Sequence, residues 1–184
     1  MVMQTAPRVM GVTGRCPSAL VAALRAEVRR GLDWQQTSRN VASVLRSRSP
    51  SPASMLSADL RRGDPACYQS HLVHAEPDGS FSVAVMVWLP GQQTPVHDHV
   101  SWCVPAVLQG MEYEEVFAVE GHRLRLVDRH VNPAGTVCAF TPPGDIHRVR
   151  NCGDDVAISM HIYGADISRL GNSVRREYAL PILG

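Results

Sequence analysis

The 184-residue chain has no run approaching the about 18 consecutive apolar residues needed to cross a bilayer. Residues 1–15 are too interrupted by proline, glycine and polar side chains to read as an export signal. No membrane partner and a cytoplasmic location are therefore expected. A strong charge of either sign is also missing: 18 basic against 17 acidic residues leave a formal net charge of +1. With the arginines scattered and aromatic residues at only 5%, the chain offers no continuous basic patch for nucleic acid. A disulfide framework is absent too, because the five cysteines are odd in number and none stands in Cys-x-x-Cys spacing. They read as reduced thiols, and Cys16, Cys67, Cys138 and Cys152 read as inert. What remains is a small-molecule protein, expected as a monomer or weak homo-oligomer.

An apolar content of 45% over this length is enough for one domain, residues 1–184, with a real core. Leu20, Leu24 and Val28 recur at helical spacing within residues 19–30, and Gly31 stops the pattern. A second helix is expected over 35–46, and the Ser/Pro-rich stretch 47–52 reads as a loop. The region 1–60 is therefore expected to be helical. From Tyr68 the texture changes to short β-rich runs, at 71–75, 81–89, 103–108, 112–119, 123–128, 136–140 and 156–163. Turn residues between them, such as Asp78-Gly79, Pro90-Gly91 and Glu120-Gly121, recur at the spacing of an antiparallel sandwich or small barrel. The barrel is expected over 68–166, with 167–184 as a C-terminal extension that adds little.

The most informative residues lie within that region. His97 and His99 stand two apart beside the Gly91 turn, so on a strand both project from one face and Asp98 points away. His147 follows a second turn, Pro142-Pro-Gly144-Asp-Ile, and precedes another apolar strand. Three imidazoles gripping one ion leave about half of an octahedron open for exogenous ligands, and without a carboxylate donor they suggest iron. Zinc and nickel accept the same donors, and His-x-His also arises by chance on surfaces. A second row, Ser159, His161 and Tyr163, occupies alternate positions of an apolar strand. Buried polar groups in that position need hydrogen-bond partners, either in a network beside the metal or as register devices in a core.

These segments resemble the two cupin motifs. The first reads Gly91, five residues, His97-x-His99, three residues, Cys103, six residues, Gly110; the second runs from Gly135 through Pro142-x-Gly144-x-x-His147 to Asn151, with one extra residue between Gly135 and Pro142. Cys103 stands where most cupins place a glutamate ligand, and with Ser159-x-His161-x-Tyr163 that resembles the cysteine dioxygenase (thiol dioxygenase) family. The resemblance covers about residues 68–166. It implies a mainly β cupin jelly-roll barrel with the N-terminal helices packed outside, and Fe(2+) held by His97, His99 and His147. It implies oxidation of a small-molecule thiol to its sulfinic acid with both atoms of O2. Tyr163 then matches the phenol near the oxygen site, Ser159 and His161 match the groups that orient it, and Cys103 with Tyr163 matches a pair that forms a thioether in some members. A non-catalytic metal- and ligand-binding cupin module, or another cupin oxygenase, would use the same histidines.

The departure concerns substrate. Family members that clamp a carboxylate read Tyr-x-Arg, or Tyr-x-Gln for mercaptopropionate, whereas here the residues are Tyr68, Gln69 and Ser70. Serine cannot form arginine's bidentate, charge-assisted bond. Either Gln69 enters through a register shift, or Arg148, Arg169 or Arg175 reaches in, or the thiol lacks a carboxylate there. Trp88 and Met160 read as core, and Trp102 as either core or pocket wall.

Overall fold

Helix α1 (Ser18–Val28) buries Leu20, Val21 and Leu24 on one stripe, and the chain turns away from it at Gly31, whose φ of +66° is costly for other residues. Helix α2 (Trp34–Arg48) starts where the Asp33 side chain accepts the Gln36 N–H at 2.7 Å, and it buries Thr37, Val41 and Leu45 at four-residue intervals. These are the helices of a computed structural model that describes residues 12–183. Most of the stretch 1–15 read for an export signal lies outside the described residues. The expected loop at 47–52 is shorter than read: α2 continues to Arg48, and Pro52, at a first helical turn, opens the one-turn helix α3 (Pro52–Met55). A 3₁₀ turn, Leu60–Arg62, leads into the strands.

The strands form two antiparallel sheets. One has the order β1 (Gln69–Ala75), β2 (Ser82–Trp88), β8 (Ala157–Tyr163), β4 (Cys103–Gln109). The other has the order β6 (Arg123–Pro133), β5 (Met111–Glu120), β7 (His147–Asn151), β3 (His97–His99), β9 (Val174–Glu177). A short helix, α4 (Ile167–Leu170), links β8 to β9.

Strand β8 is buried at all seven positions, and its alternation separates two environments. Ile158, Met160 and Ile162 point outward into a core shared with Val83, Val85, Leu20, Leu24, Val41 and Leu45. The helices therefore pack outside the first sheet, as expected. Ser159, His161 and Tyr163 point to the opposite side, between the sheets, together with Trp88 and Met86 of the paired strand. Arg25 anchors α1 to the sheet edge by bonding the buried Glu76 through Nε at 2.5 Å and Nη2 at 3.0 Å. Trp102 resolves as core, in the outward cluster under Gly164, and Met160 lies in the same cluster as expected.

Three corrections to the strand pattern follow. Residues 136–140 form no ladder of their own but run along the free edge of β4 through isolated bridges, Val137 to Ala106 and Phe140 to Cys103. Strand β6 continues to Pro133 rather than stopping at 128, because its partner β5 is long enough to pair with it throughout. The segment after 166, expected to add little, supplies a strand: Val174–Glu177 pairs with β3, which carries His97 and His99.

Gly110 closes the turn between β4 and β5 at φ +75°, and a Cβ there would meet Ala157 Cα at 2.9 Å. Backbone strain and a clash with rigid backbone each cost on the order of 1–3 kcal/mol. Gly110→Ala is expected to lower stability by at least about 2 kcal/mol, or roughly 5 °C in Tm for a chain of this size. An unchanged thermal melt would show that this turn tolerates ordinary side chains.

Candidate metal centre and relay

Strand pairing brings the three histidines together. His97 is the register partner of His147 across β3 and β7, and alternation returns His99 to the same face. The ring centroids are 4.8, 4.9 and 5.0 Å apart, and one nitrogen from each ring lies within 4.8 Å of the others. All three side chains are buried. Each outward nitrogen has an acceptor. His97 Nδ1 bonds the Pro95 carbonyl at 3.0 Å, His99 Nδ1 bonds Asp145 Oδ2 at 3.0 Å, and His147 Nδ1 bonds Glu114 Oε1 at 2.5 Å. These acceptors place the hydrogen on Nδ1 and leave Nε2 bare and facing the centre, the tautomer a metal requires.

Burial, followed by mutual repulsion with His147 and His99, pushes His97 well below its ordinary pKa. Burial likewise lowers His99, against the opposing pull of Asp145. Burial pushes Asp145 up, but its bonds to His99 outweigh this and hold the carboxyl below its usual range. Convergent bare nitrogens and ordered outer acceptors fit a divalent transition-metal ion.

Beside the triad, β8 carries a chain of hydrogen bonds. Trp88 Nε1–H donates to Ser159 Oγ at 3.1 Å, and Ser159 Oγ lies 3.0 Å from His161 Nε2. His161 Nδ1 faces Cys103 Sγ at 3.9 Å. Cys103 is the register partner of Tyr163 across β4 and β8. Burial, reinforced by His99 and His147, brings His161 down to about 3, so the ring is neutral at ordinary pH. Burial raises both Cys103 and Tyr163 well above their usual values, keeping thiol and phenol protonated. His161 thus faces the thiol of Cys103, the residue paired with Tyr163.

The family description that matches this chain, cysteine dioxygenase type I, covers residues 12–172. The chain belongs to the cysteine dioxygenase type I family. Among solved structures it is similar to a Klebsiella pneumoniae conserved protein with a double-stranded β-helix domain, at 18% identity over 65% of this chain and 93% of that one, with a TM-score of 0.47. It is also similar to a Thermus thermophilus protein, at 24% identity over 58% and 91% with a TM-score of 0.44. A third similarity is to Bacillus subtilis oxalate decarboxylase, at 25% identity over 48% and 22% with a TM-score of 0.40.

The expected side-chain alternatives to an arginine at position 70 are not met in the structure. Tyr68 and Ser70 line the cavity beside the three histidines, and Tyr68 stacks on Trp88 at 4.3 Å between centroids. Gln69 does not shift into register with them; it points away and donates to the Cys67 carbonyl at 3.2 Å. None of the three candidate arginines reaches in. Arg148 is held by Glu115, Arg169 by Asp166, and Arg175 by Asp98. Asp98 points away from the centre as expected, but it is fully buried, and Tyr178 also donates to it at 3.0 Å. Trp88, read as core, is a cavity wall that reaches the relay.

Several contributors escaped the sequence reading. Glu114 and Asp145 hold the histidines, and Asn172, Ser173 and Val174 close the cavity from the C-terminal segment. Asp145 lies inside the second motif, two residues before His147, so its position was the available signal. Loss of an outer acceptor typically costs about 10–100-fold in metal affinity. Asp145→Asn and Glu114→Gln are each expected to weaken metal binding by that factor in a chelator competition with little change in the fold. Undiminished affinity in both would remove these carboxylates from the metal's support.

Proposed function

We propose that this protein is an iron-dependent thiol dioxygenase that oxidises a small-molecule thiol with O2, RSH + O2 → RSO2H. The observation that carries the reading is a buried triad of imidazoles, grouped with no carboxylate donor among the described residues, placed beside a buried phenol and thiol in a cysteine dioxygenase family member. Ferrous iron held by His97, His99 and His147 would supply open positions where a thiolate and dioxygen meet and the sulfur climbs its oxidation ladder.

The side chains divide the remaining work. Tyr163, kept protonated by burial, holds a hydrogen-bond donor next to His99, with ring centroids 6.1 Å apart. Met86, Val149, Ile167 and Val174 give the cavity an apolar wall that excludes water. Ser70, Asn172 and Ser173 offer neutral donors and acceptors for the rest of the substrate. The chain has no lysine, so arginine is its only side chain with a permanent positive charge, and among the described residues no arginine lines the cavity. A substrate carboxylate would therefore be desolvated without a charged side-chain partner, which is costly. The reading favours thiols whose second anchor is a hydroxyl, amide or amine.

The missing clamp is also the observation favouring a metal- and ligand-binding module without turnover. Oxygen uptake by ferrous-reconstituted protein separates the two, with cysteine, cysteamine, mercaptoethanol, mercaptopropionate and mercaptosuccinate as substrates. Uptake is expected with a product gain of two oxygen atoms, faster for the thiols lacking a carboxylate. His99→Ala is expected to lose metal and uptake together. Tyr163→Phe is expected to retain metal and lose on the order of 100-fold in turnover. Bound iron without uptake for any thiol overturns the dioxygenase in favour of the module, and faster turnover of carboxylate thiols overturns the substrate preference.

A further inference from the structure

Strand β9, Val174-Arg-Arg-Glu177, sorts its charges between its two faces. Val174 is the register partner of His99, Arg176 of Asp98 and Glu177 of His97, with an irregularity between Asp98 and His99 that takes up Arg175. Residues paired across antiparallel strands project from the same face, with Cβ atoms roughly 5 Å apart. Val174 and Glu177 therefore both stand on the face of the two ligands, although a regular strand puts residues three apart on opposite faces. Val174 lines the cavity. The two arginines go to the other face, where Arg175 is held by Asp98 and the Arg176 guanidinium lies 4.7 Å from the centroid of the Tyr178 ring.

Glu177 is exposed whereas its partner His97 is buried, so the carboxylate stands at the outer end of the cavity wall. The opening lies between two sheet edges: β9 ends one sheet and β1 ends the other. Tyr68, immediately before β1, lines the cavity from that second edge. Burial, and after it the Glu177 charge, raises the Tyr68 phenol above its ordinary range, in keeping with a carboxylate that faces it across the mouth. Among the described residues the cavity lining includes no aspartate, glutamate or arginine. An anion at the rim of an uncharged cleft focuses its field there and raises the local concentration of cations.

We propose that Glu177 is a specificity-determining residue of this site: its carboxylate receives an ammonium group at the cavity mouth, so the preferred ligand is a small aminothiol without a carboxylate. The inference deepens the thiol reading of the metal centre and rests on it. With the sulfur at the histidines, the far end of a short thiol points toward the mouth, where Glu177 is the charged side chain on the cavity face of β9. An ammonium there is attracted, a hydroxyl is indifferent to the charge, and a carboxylate is repelled as well as desolvated. The uncharged lining treats hydroxyl and amine anchors alike; Glu177 separates them.

The test is calorimetric binding of cysteamine, mercaptoethanol and mercaptopropionate to the full chain loaded with zinc, which accepts imidazole and thiolate ligands and binds the thiols without turnover. Glu177→Gln keeps the shape and removes the charge. An exposed ion pair contributes a factor of about two to five. The variant is expected to weaken cysteamine by that factor, to leave mercaptoethanol unchanged and to tighten mercaptopropionate; Glu177→Arg is expected to move the balance further the same way. Comparing each thiol with itself, parent against variant, cancels the thiols' own acidities. Added salt is expected to shrink the difference between parent and Glu177→Gln. Unchanged cysteamine affinity in both variants, or a loss shared equally by mercaptoethanol, overturns the proposal and leaves the thiol site intact. The expected selectivity in a protein that takes up no oxygen overturns the dioxygenase and leaves Glu177 in its role, and failure of every thiol to bind overturns both.

Discussion

The interior of this barrel is organised by one requirement: three imidazoles must each keep a bare nitrogen pointing at a common centre. A neutral imidazole has one N–H, so the hydrogen must be held on the far side of each ring by an acceptor. The protein supplies these acceptors itself, Pro95 O, Asp145 and Glu114, from three separate segments. Asp145 also accepts the backbone N–H of His99 at 3.1 Å, which ties the turn before β7 to β3. The same desolvation that keeps His97 and His99 neutral makes these acceptors expensive to lose. Metal readiness and barrel closure therefore share one set of bonds.

The histidines and the polar row on β8 were legible because their chemistry follows the period of a strand, two residues, within a few positions. The helices were legible from spacing as well, and their ends lie within a few residues of the expected ones, α2 starting at its Asp33 cap and α1 stopping short of Gly31. Partners set by pairing across strands were not legible. Glu112 and Glu114 alternate with Tyr113 and Glu115, a pattern that gives either face polar residues, and nothing local says that the glutamates at 112 and 114 point inward. That is decided by register: Glu114 pairs with Val149 on β7 and so comes level with the His147 ring. Trp88 looked like core for a similar reason. Its bulk fits a core, and only the antiparallel pairing of β2 with β8 brings its N–H to Ser159.

The last strand shows how a small irregularity decides a charge distribution. Val174-Arg-Arg-Glu177 has no apolar alternation, so it carries no strand signal, yet it pairs with β3 and supplies the wall of the cavity. His99 pairs with Val174 and Asp98 with Arg176, which leaves Arg175 as the extra residue of a bulge. Bulges re-aim side chains, and here Arg175 is turned onto Asp98 on the far side of β3 while Val174 faces the cavity. Slippage of one residue exchanges the faces of a strand. In regular register β9 would present the guanidinium to the space beside the histidines. The neutrality of the cavity is thus not an accident of a missing arginine at position 70 alone. A permanent cation lies one residue from the cavity wall, and Asp98, buried between the two ligands on its own strand, holds it outside.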